Sequence, residues 1–121
     1  MRDIIRTNEI VSWIKELDDD AKEAILKSLI VLKEIGPALG RPYVDSVKGS
    51  RYHNMKELRI QSKLRLLRIL FIFGPLRNVI LLIGGDKRGD RRFYQKMIPI
   101  ADRLYDRYLE QLKEKYESTG K

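Results

Sequence analysis

Arg68 is the residue in this chain that most demands an explanation. It interrupts the run Leu66-Leu67-Arg68-Ile69-Leu70-Phe71-Ile72-Phe73. A charge enclosed among such neighbours costs several kcal/mol if it has no partner. It must therefore pair with a carboxylate, with Glu57 the candidate, or open into a polar cleft. In a cleft its guanidinium can grip a phosphate through two parallel hydrogen bonds. Arg59 shares a strand face with Met55 and Glu57, whereas Lys56 falls on the opposite face by alternation. Each reads either as a solvated edge residue or as a ligand contact. His53, the sole imidazole, stands just before that strand. Its ring suits proton transfer near neutral pH, and the plainer reading is a surface side chain. Tyr94 sits in Arg91-Arg92-Phe93-Tyr94-Gln95-Lys96, where basic and aromatic residues interleave. That pattern suits RNA, whose unstacked bases lie on rings while cations hold phosphates. It equally describes an amphipathic turn with Phe93 in the core. Upstream, Gly84-Gly85-Asp86-Lys87-Arg88-Gly89-Asp90 lacks the Gly-Lys-Ser/Thr ending of a nucleotide-binding loop. Its paired glycines are expected to turn the chain off a strand, leaving Asp86 and Lys87 projecting.

The charge is concentrated where these residues lie. The chain carries +8 overall, but residues 48–96 hold +10, residues 1–47 hold −2 and residues 97–121 are neutral. The middle third is thus the surface expected to meet a polyanion. There is no cysteine, which excludes disulfides, thiolate metal sites and a cysteine nucleophile. A single histidine argues against a His-rich metal centre. Apolar runs such as Ile69 to Phe73 are far too short for a membrane helix, and the N-terminus lacks the apolar core of a secretory signal. The expected setting is the cytoplasm, with no membrane contact.

The elements that must position these residues follow from periodicity. Ile4 and Ile5 mark a first strand. Thr7 or Asn8 can cap a helix that places Ile10, Ile14 and Leu17 on one face. Asp18-Asp19-Asp20 opens a second helix through Ala21, Ile25, Leu29 and Leu32, stopped by Gly36-Pro37. A long ordered loop runs from Gly36 to Ser50. From Arg51 the period changes to two, and three strands follow: one through Ile60, Leu64 to Phe73, and Val79 to Ile83. Connections this short require antiparallel pairing. Asp90 is read as capping a short helix through Met97, and Pro99 as opening a final helix. That helix carries an apolar stripe from Ala101 through Tyr105 and Tyr108 to Tyr116, with Asp102 on its solvated face. The result is one α+β domain over residues 1–121, in the order β-αα-βββ-α. A helical hairpin packs on a small, mostly antiparallel sheet, and the last helix lies at the sheet's edge or on its other face.

Three stretches, GPALGRPYVDSVKGSRYHNMKELRI, LRILFIF and ILLIGGDKRGDRRFYQKMIPIADRLYDRYL, in this order and spacing, resemble the phage-derived branch of the RelE/HigB toxin superfamily. The resemblance implies a RelE-like fold and a toxin of a type II toxin–antitoxin module. It implies mRNA cleavage on the ribosome without metal or cofactor, the 2′-hydroxyl attacking the adjacent phosphate to leave a 2′,3′-cyclic phosphate and a 5′-hydroxyl. Carried over by motif, Arg59 and Arg68 are implied as phosphate clamps, Lys87 as a stabiliser of developing charge, and Tyr94 as an aromatic that stacks on or orients a base. Lys56 is a weaker member; His53, Arg88, Arg91, Arg92 and Lys96 are implied as RNA contacts. Two departures stand out. The lysine pair of RelE-like enzymes is reduced to Lys56 and Arg59, which point to opposite faces unless a bulge intervenes, and the final helix is longer than in minimal members. The same fold also serves toxins that bind a topoisomerase without cleaving anything, and an inactive nucleic-acid-binding relic would share the composition. Either toxin reading implies a small cognate antitoxin, expected to carry a helix-turn-helix domain.

Overall fold

The computed structural model describes residues 2–119. A short strand β1 (Ile4–Arg6) leads into α1 (Asn8–Lys15) and α2 (Asp19–Ile35). Both helix starts are fixed as their residues imply. The Thr7 hydroxyl oxygen accepts the Ile10 N–H at 3.0 Å, and Asp18 accepts the Ala21 N–H at 2.9 Å. Gly36, with φ of 69°, ends α2. Three strands carry the middle of the chain: β3 (Lys56–Ser62), β4 (Arg65–Phe73) and β5 (Val79–Asp86). They pair antiparallel, while β1 joins the far side of β5 in parallel. The order β-αα-βββ-α thus holds, with one addition.

That addition is β2 (Val44–Ser46), inside what reads as a loop, and it makes the sheet five-stranded in the order β1-β5-β4-β3-β2. Three residues leave no periodic signature; β2 exists because β3 offers it a free edge. The strand expected from Arg51 starts later, since residues 51–54 form turns and the ladder begins at Lys56. On β5 the chain does not turn away at Gly84-Gly85 but stays in the ladder to Asp86. The two glycines serve close packing instead. A Cβ on Gly84 would run into the Trp13 ring of α1, and one on Gly85 would lie 2.9 Å from the Phe93 ring. The final helix, α3 (Phe93–Thr119), is one continuous element with Pro99 inside it, not two helices broken before Pro99. Asp90 accepts the Arg92 N–H in the turn that leads in.

Alternation along the strands sorts the interior into two layers. Under α1 and α2 lies an apolar cluster that includes Leu58, Ile60, Leu67, Ile69, Phe71 and Leu81. On the opposite face α3 covers Met55, Leu70, Ile72, Ile80 and Leu82 with Ile98, Ala101, Leu104 and Tyr105. A β-bulge between β4 and β5, where Leu70 pairs with Ile83 and Phe71 with Leu81, shifts the register once. Asp102, expected in solvent, is 5% exposed. It accepts from Ser50 Oγ at 2.5 Å and from the Arg51 N–H at 3.1 Å, pinning the loop before β3 to α3. Tyr116, expected on the apolar stripe, is 56% exposed, so the stripe ends before it. Arg107 holds Glu9 with two N–H donors at 2.8 and 3.1 Å and ties α3 to α1 across the sheet's edge. Among the described residues no helix is long and apolar enough to cross a membrane.

Candidate functional site

The cover supplied by α3 begins at Phe93, which packs over Gly85. In the ladder Arg59 faces Arg68 and Arg68 faces Gly85, so these three make one row across β3, β4 and β5. Two arginines side by side repel. Their compensation is Glu57, 3% exposed, on the same face of β3. Glu57 accepts the Tyr94 O–H at 2.5 Å and the Arg59 Nε–H at 3.2 Å. Arg68 Nε lies 3.7 Å from Glu57 Oε1, an ion-pair separation too long for a good hydrogen bond. The Arg68 Nη1 group donates to the Leu67 carbonyl at 3.0 Å, but its buried Nε has no hydrogen-bond partner. Of the two readings open for Arg68, the structure shows the pairing: its carboxylate is Glu57, and Arg68 lies beneath the residues that line an opening beside it.

That opening is a cleft of about 380 Å³ lined by Glu57, Arg59, Tyr94 and Lys87, and by Asp45, Ser46, Val47 and Lys48 on the other wall. The wall is β2 and the residue pair after it. Asp45 accepts from Arg59 and from Arg41, each at 3.1 Å. The Ser46 N–H, then the two arginines, hold its carboxyl below the ordinary aspartate range. Arg59 is therefore shared between Asp45 and Glu57. Lys87 leaves the end of β5 and places its ammonium 5.5 Å from the centre of the Tyr94 ring. Burial, then the bond to Glu57, pushes the Tyr94 phenol above its ordinary pKa, and Arg68 pulls weakly the other way. Tyr94 thus keeps its proton, which it shares with Glu57 as a hydrogen bond. The sequence marks Tyr94 for stacking; the structure fixes it by its hydroxyl, by an edge contact with Phe93 at 5.2 Å and by Lys87 over its ring.

The structure thus brings Arg59, Arg68, Lys87 and Tyr94 together. It does not bring in the others. Lys56 pairs with Phe71 in an unbroken β3–β4 register, so no bulge rotates it toward Arg59, and it belongs to the hairpin face. His53 is exposed in the turn before β3 and does not line the cleft. Arg88, Arg91 and Arg92 are exposed along the turn from β5 to α3, beside the cleft, and Lys96 is held by Asp90 at 2.5 Å. Five cleft residues escape sequence reasoning as site residues: Asp45, Ser46, Val47, Lys48 and Glu57. Lys48 follows the strand that has no signature. Glu57 is legible as a partner for Arg68 but not as the acceptor for Tyr94, 37 residues away.

Comparison with known proteins bears on the family and the fold. The family model for phage derived protein Gp49-like matches residues 12–106. Two candidate toxins of Mycobacterium tuberculosis, HigB3 and HigB2, are each 43% identical over 107 residues. The match covers 88% of this chain and 92% of HigB3. For HigB2 it covers 87% of this chain and 53% of that protein, so the chain spans about half of HigB2's length. Among solved structures, the isolated E. coli RelE toxin superposes with a TM-score of 0.59 at 12% identity, over 83% of this chain and 99% of that one. An arginine double mutant of the same toxin in its free state gives 0.58 at 11%, over 79% and 94%. At such identities the likeness shows the fold alone.

Proposed function

This chain belongs to the phage-derived Gp49-like family and is a toxin of the HigB/RelE type, and from that premise we propose that it is an endoribonuclease cutting mRNA on the ribosome without metal. The observation that carries the reading is the open cleft over a buried carboxylate. A purely structural ion pair would close over itself; here Glu57, Arg59, Tyr94 and Lys87 stand around accessible space.

The residues divide the reaction as follows. Arg59 and Arg68 hold the non-bridging oxygens of the scissile phosphate, and Arg59 gives up part of its contact with Asp45 to do so. The attacking 2′-hydroxyl passes its proton to the Tyr94 oxygen as Tyr94 passes its own to Glu57. The 2′ oxygen bonds to phosphorus and the bond to the 5′ oxygen breaks. Lys87, at the mouth, neutralises charge on the phosphorane and protonates the departing 5′ oxygen. The products are a 2′,3′-cyclic phosphate and a 5′-hydroxyl. Arg88, Arg91 and Arg92 line the approach for flanking phosphates. A toxin of this type implies a cognate antitoxin, and we place a helix-turn-helix protein encoded beside the gene in that role.

Induced expression followed by mapping of cellular mRNA ends tests the reading. Cuts with cyclic-phosphate and 5′-hydroxyl ends, suppressed when the neighbouring gene is co-expressed, are the expected result. Intact mRNA with a DNA-damage response would instead place the chain among topoisomerase-binding toxins.

A further inference from the structure

Lys48 and Tyr94 line two clefts at once. Lys48 stands on the β2 wall of the cleft over Glu57. It also borders a second cleft of about 540 Å³, which continues from Tyr94 along α3 past Gln95, Ile98 and Pro99. The charges around it are already engaged. In the first cleft Arg59 holds both Asp45 and Glu57. In the second, Arg51 is paired with Asp106, and both Asp102 oxygens accept hydrogen bonds. Among the described residues no carboxylate lies within ion-pair distance of Lys48 or of Lys87, so these two are the free cations of the first cleft, one on each wall.

Each lysine is set in place through its backbone by a nearby carboxylate. Asp86 accepts the Leu66 N–H at 3.1 Å and the Arg88 N–H at 3.0 Å, while the Lys87 N–H donates to the Leu66 carbonyl at 2.8 Å. Lys48 lies in a bend anchored on both sides. Before it, the Val47 N–H donates to the Met55 carbonyl at 3.0 Å. After it, Gly49 turns the chain with φ of +97°. The buried Asp102 then accepts from Ser50 Oγ at 2.5 Å and from the Arg51 N–H at 3.1 Å, and Ser50 Oγ accepts the Tyr52 N–H at 2.9 Å. A lysine stem is flexible, so a fixed backbone is what limits where the ammonium can reach.

We propose that Lys48 binds the RNA phosphate next to the scissile one, where the strand passes from the first cleft into the second, and that Asp102 positions it. A polynucleotide carries a charge at every linkage. With the scissile phosphate on Arg59 and Arg68, the strand leaves past Tyr94, and Lys48 is the free cation on that path. Asp102 touches no substrate and acts through the loop. The proposal rests on the nuclease reading above, and the experiment separates the two.

A short synthetic mRNA is placed on ribosomes and its cut site mapped with the natural protein. The linkage on either side of the cut is then replaced, in separate mRNAs, by an uncharged methylphosphonate. Cleavage rate constants are measured for the natural protein, Lys48→Ala, Lys48→Arg and Asp102→Asn. One of the two neutral linkages should slow the natural protein about tenfold, the scale of one charge-assisted hydrogen bond. Lys48→Ala should cut the charged mRNA about tenfold more slowly and lose nothing further at that neutral linkage, because the partner is gone. Lys48→Arg should behave like the natural protein. Asp102→Asn should lose most of the sensitivity although Lys48 is present. Each sensitivity is a ratio of two rates on one protein sample, so a lower folded fraction does not change it. If neither neutral linkage slows the natural protein, or if Lys48→Ala keeps the tenfold sensitivity, the Lys48 contact is overturned and the nuclease reading stands. Full sensitivity in Asp102→Asn overturns its positioning role. No cutting of the charged mRNA by the natural protein overturns the nuclease reading and this contact with it.

Discussion

The two faces of the sheet are made by the same strands, yet they meet their helices differently. Under α1 and α2, β4 presents Leu67, Ile69 and Phe71, each fully buried in an apolar cluster. On the α3 side the same strand presents Leu70 and Ile72, equally buried, and then Arg68. The difference is one of reach. α3 begins at Phe93, packed over Gly85, and reaches β3 there through the Tyr94 hydroxyl on Glu57, while the ladder continues to Arg68 and Arg59. Where cover ends, alternation brings the next inward residues to a half-open edge, and those residues are charged. The dry face is thus packing alone, and the charged groups of the proposed site gather at the less covered end of the other.

Substitutions at adjacent residues of β4 should break that division most visibly. Arg68→Ala should slow cleavage of ribosome-bound mRNA about 1,000-fold, the scale for losing a preorganised charge at a developing oxyanion. The fold should survive, because Glu57 keeps Arg59 and Tyr94. Leu67→Ala, one residue away on the dry face, should cost about 3 kcal/mol in denaturant unfolding, with the molecules still folded cutting at the normal rate. Normal cutting by Arg68→Ala would remove the site from this face. Slow cutting by a fully stable Leu67→Ala would show that the faces are not separable.

Next in size is Glu57→Gln, which keeps shape but removes the proton acceptor. Cleavage should fall about 100-fold. The Tyr94 phenol, held up by burial and then by Glu57, should titrate at lower pH in this variant, measurable by ultraviolet absorbance. The sign for stability follows from a raised folded-state pKa. The contribution of Tyr94 is fully present below the ordinary tyrosine value of about 10 and is lost as pH rises through the raised one. An unchanged phenol titration would mean that burial alone sets it and that the proton path to Glu57 is wrong.

How far this arrangement can be read from sequence depends on the distance over which each cause acts. The Arg68–Glu57 pairing is legible because strand alternation and one misplaced charge are local facts. The helix caps at Thr7 and Asp18 are legible for the same reason. β2 is not, because three residues become a strand only when β3 offers an edge, and Lys48 is missed with it. Asp102 looks like a solvated helix residue until Ser50 and Arg51, half the chain away, are folded against it. Pro99 looks like a helix start because proline usually is one, yet α3 tolerates it in its seventh position. The two glycines read as a turn because the rings that crowd them come from Trp13, far upstream, and from a helix that follows.

Those glycines offer a more balanced comparison, since the same methyl group can be added to either face. Gly84→Ala pushes on Trp13 and Gly85→Ala on Phe93. Each should cost about 1–3 kcal/mol through overpacking. Only Gly85→Ala should also slow cleavage, because Phe93 carries Tyr94 next to it and any shift moves the phenol off Glu57. Equal slowing by both, measured per folded molecule, would mean that the site responds to the whole sheet and not to its own cover.

The smallest expected effect is the sharpest about geometry. Lys56 and Arg59 lie three residues apart on β3, both basic, both half-buried, and in an unbroken register they must point to opposite faces. Net charge changes identically when either becomes alanine, so any general attraction to RNA weakens equally. Arg59→Ala removes a group that lines the cleft and should lower the cleavage rate constant about tenfold or more. Lys56→Ala and His53→Ala should each stay within about twofold of the natural protein at moderate salt, the change expected from one remote charge or none. A large loss in Lys56→Ala would require β3 to rotate in the ribosome-bound state, and with it the assignment of Glu57 to the floor of the cleft would fail.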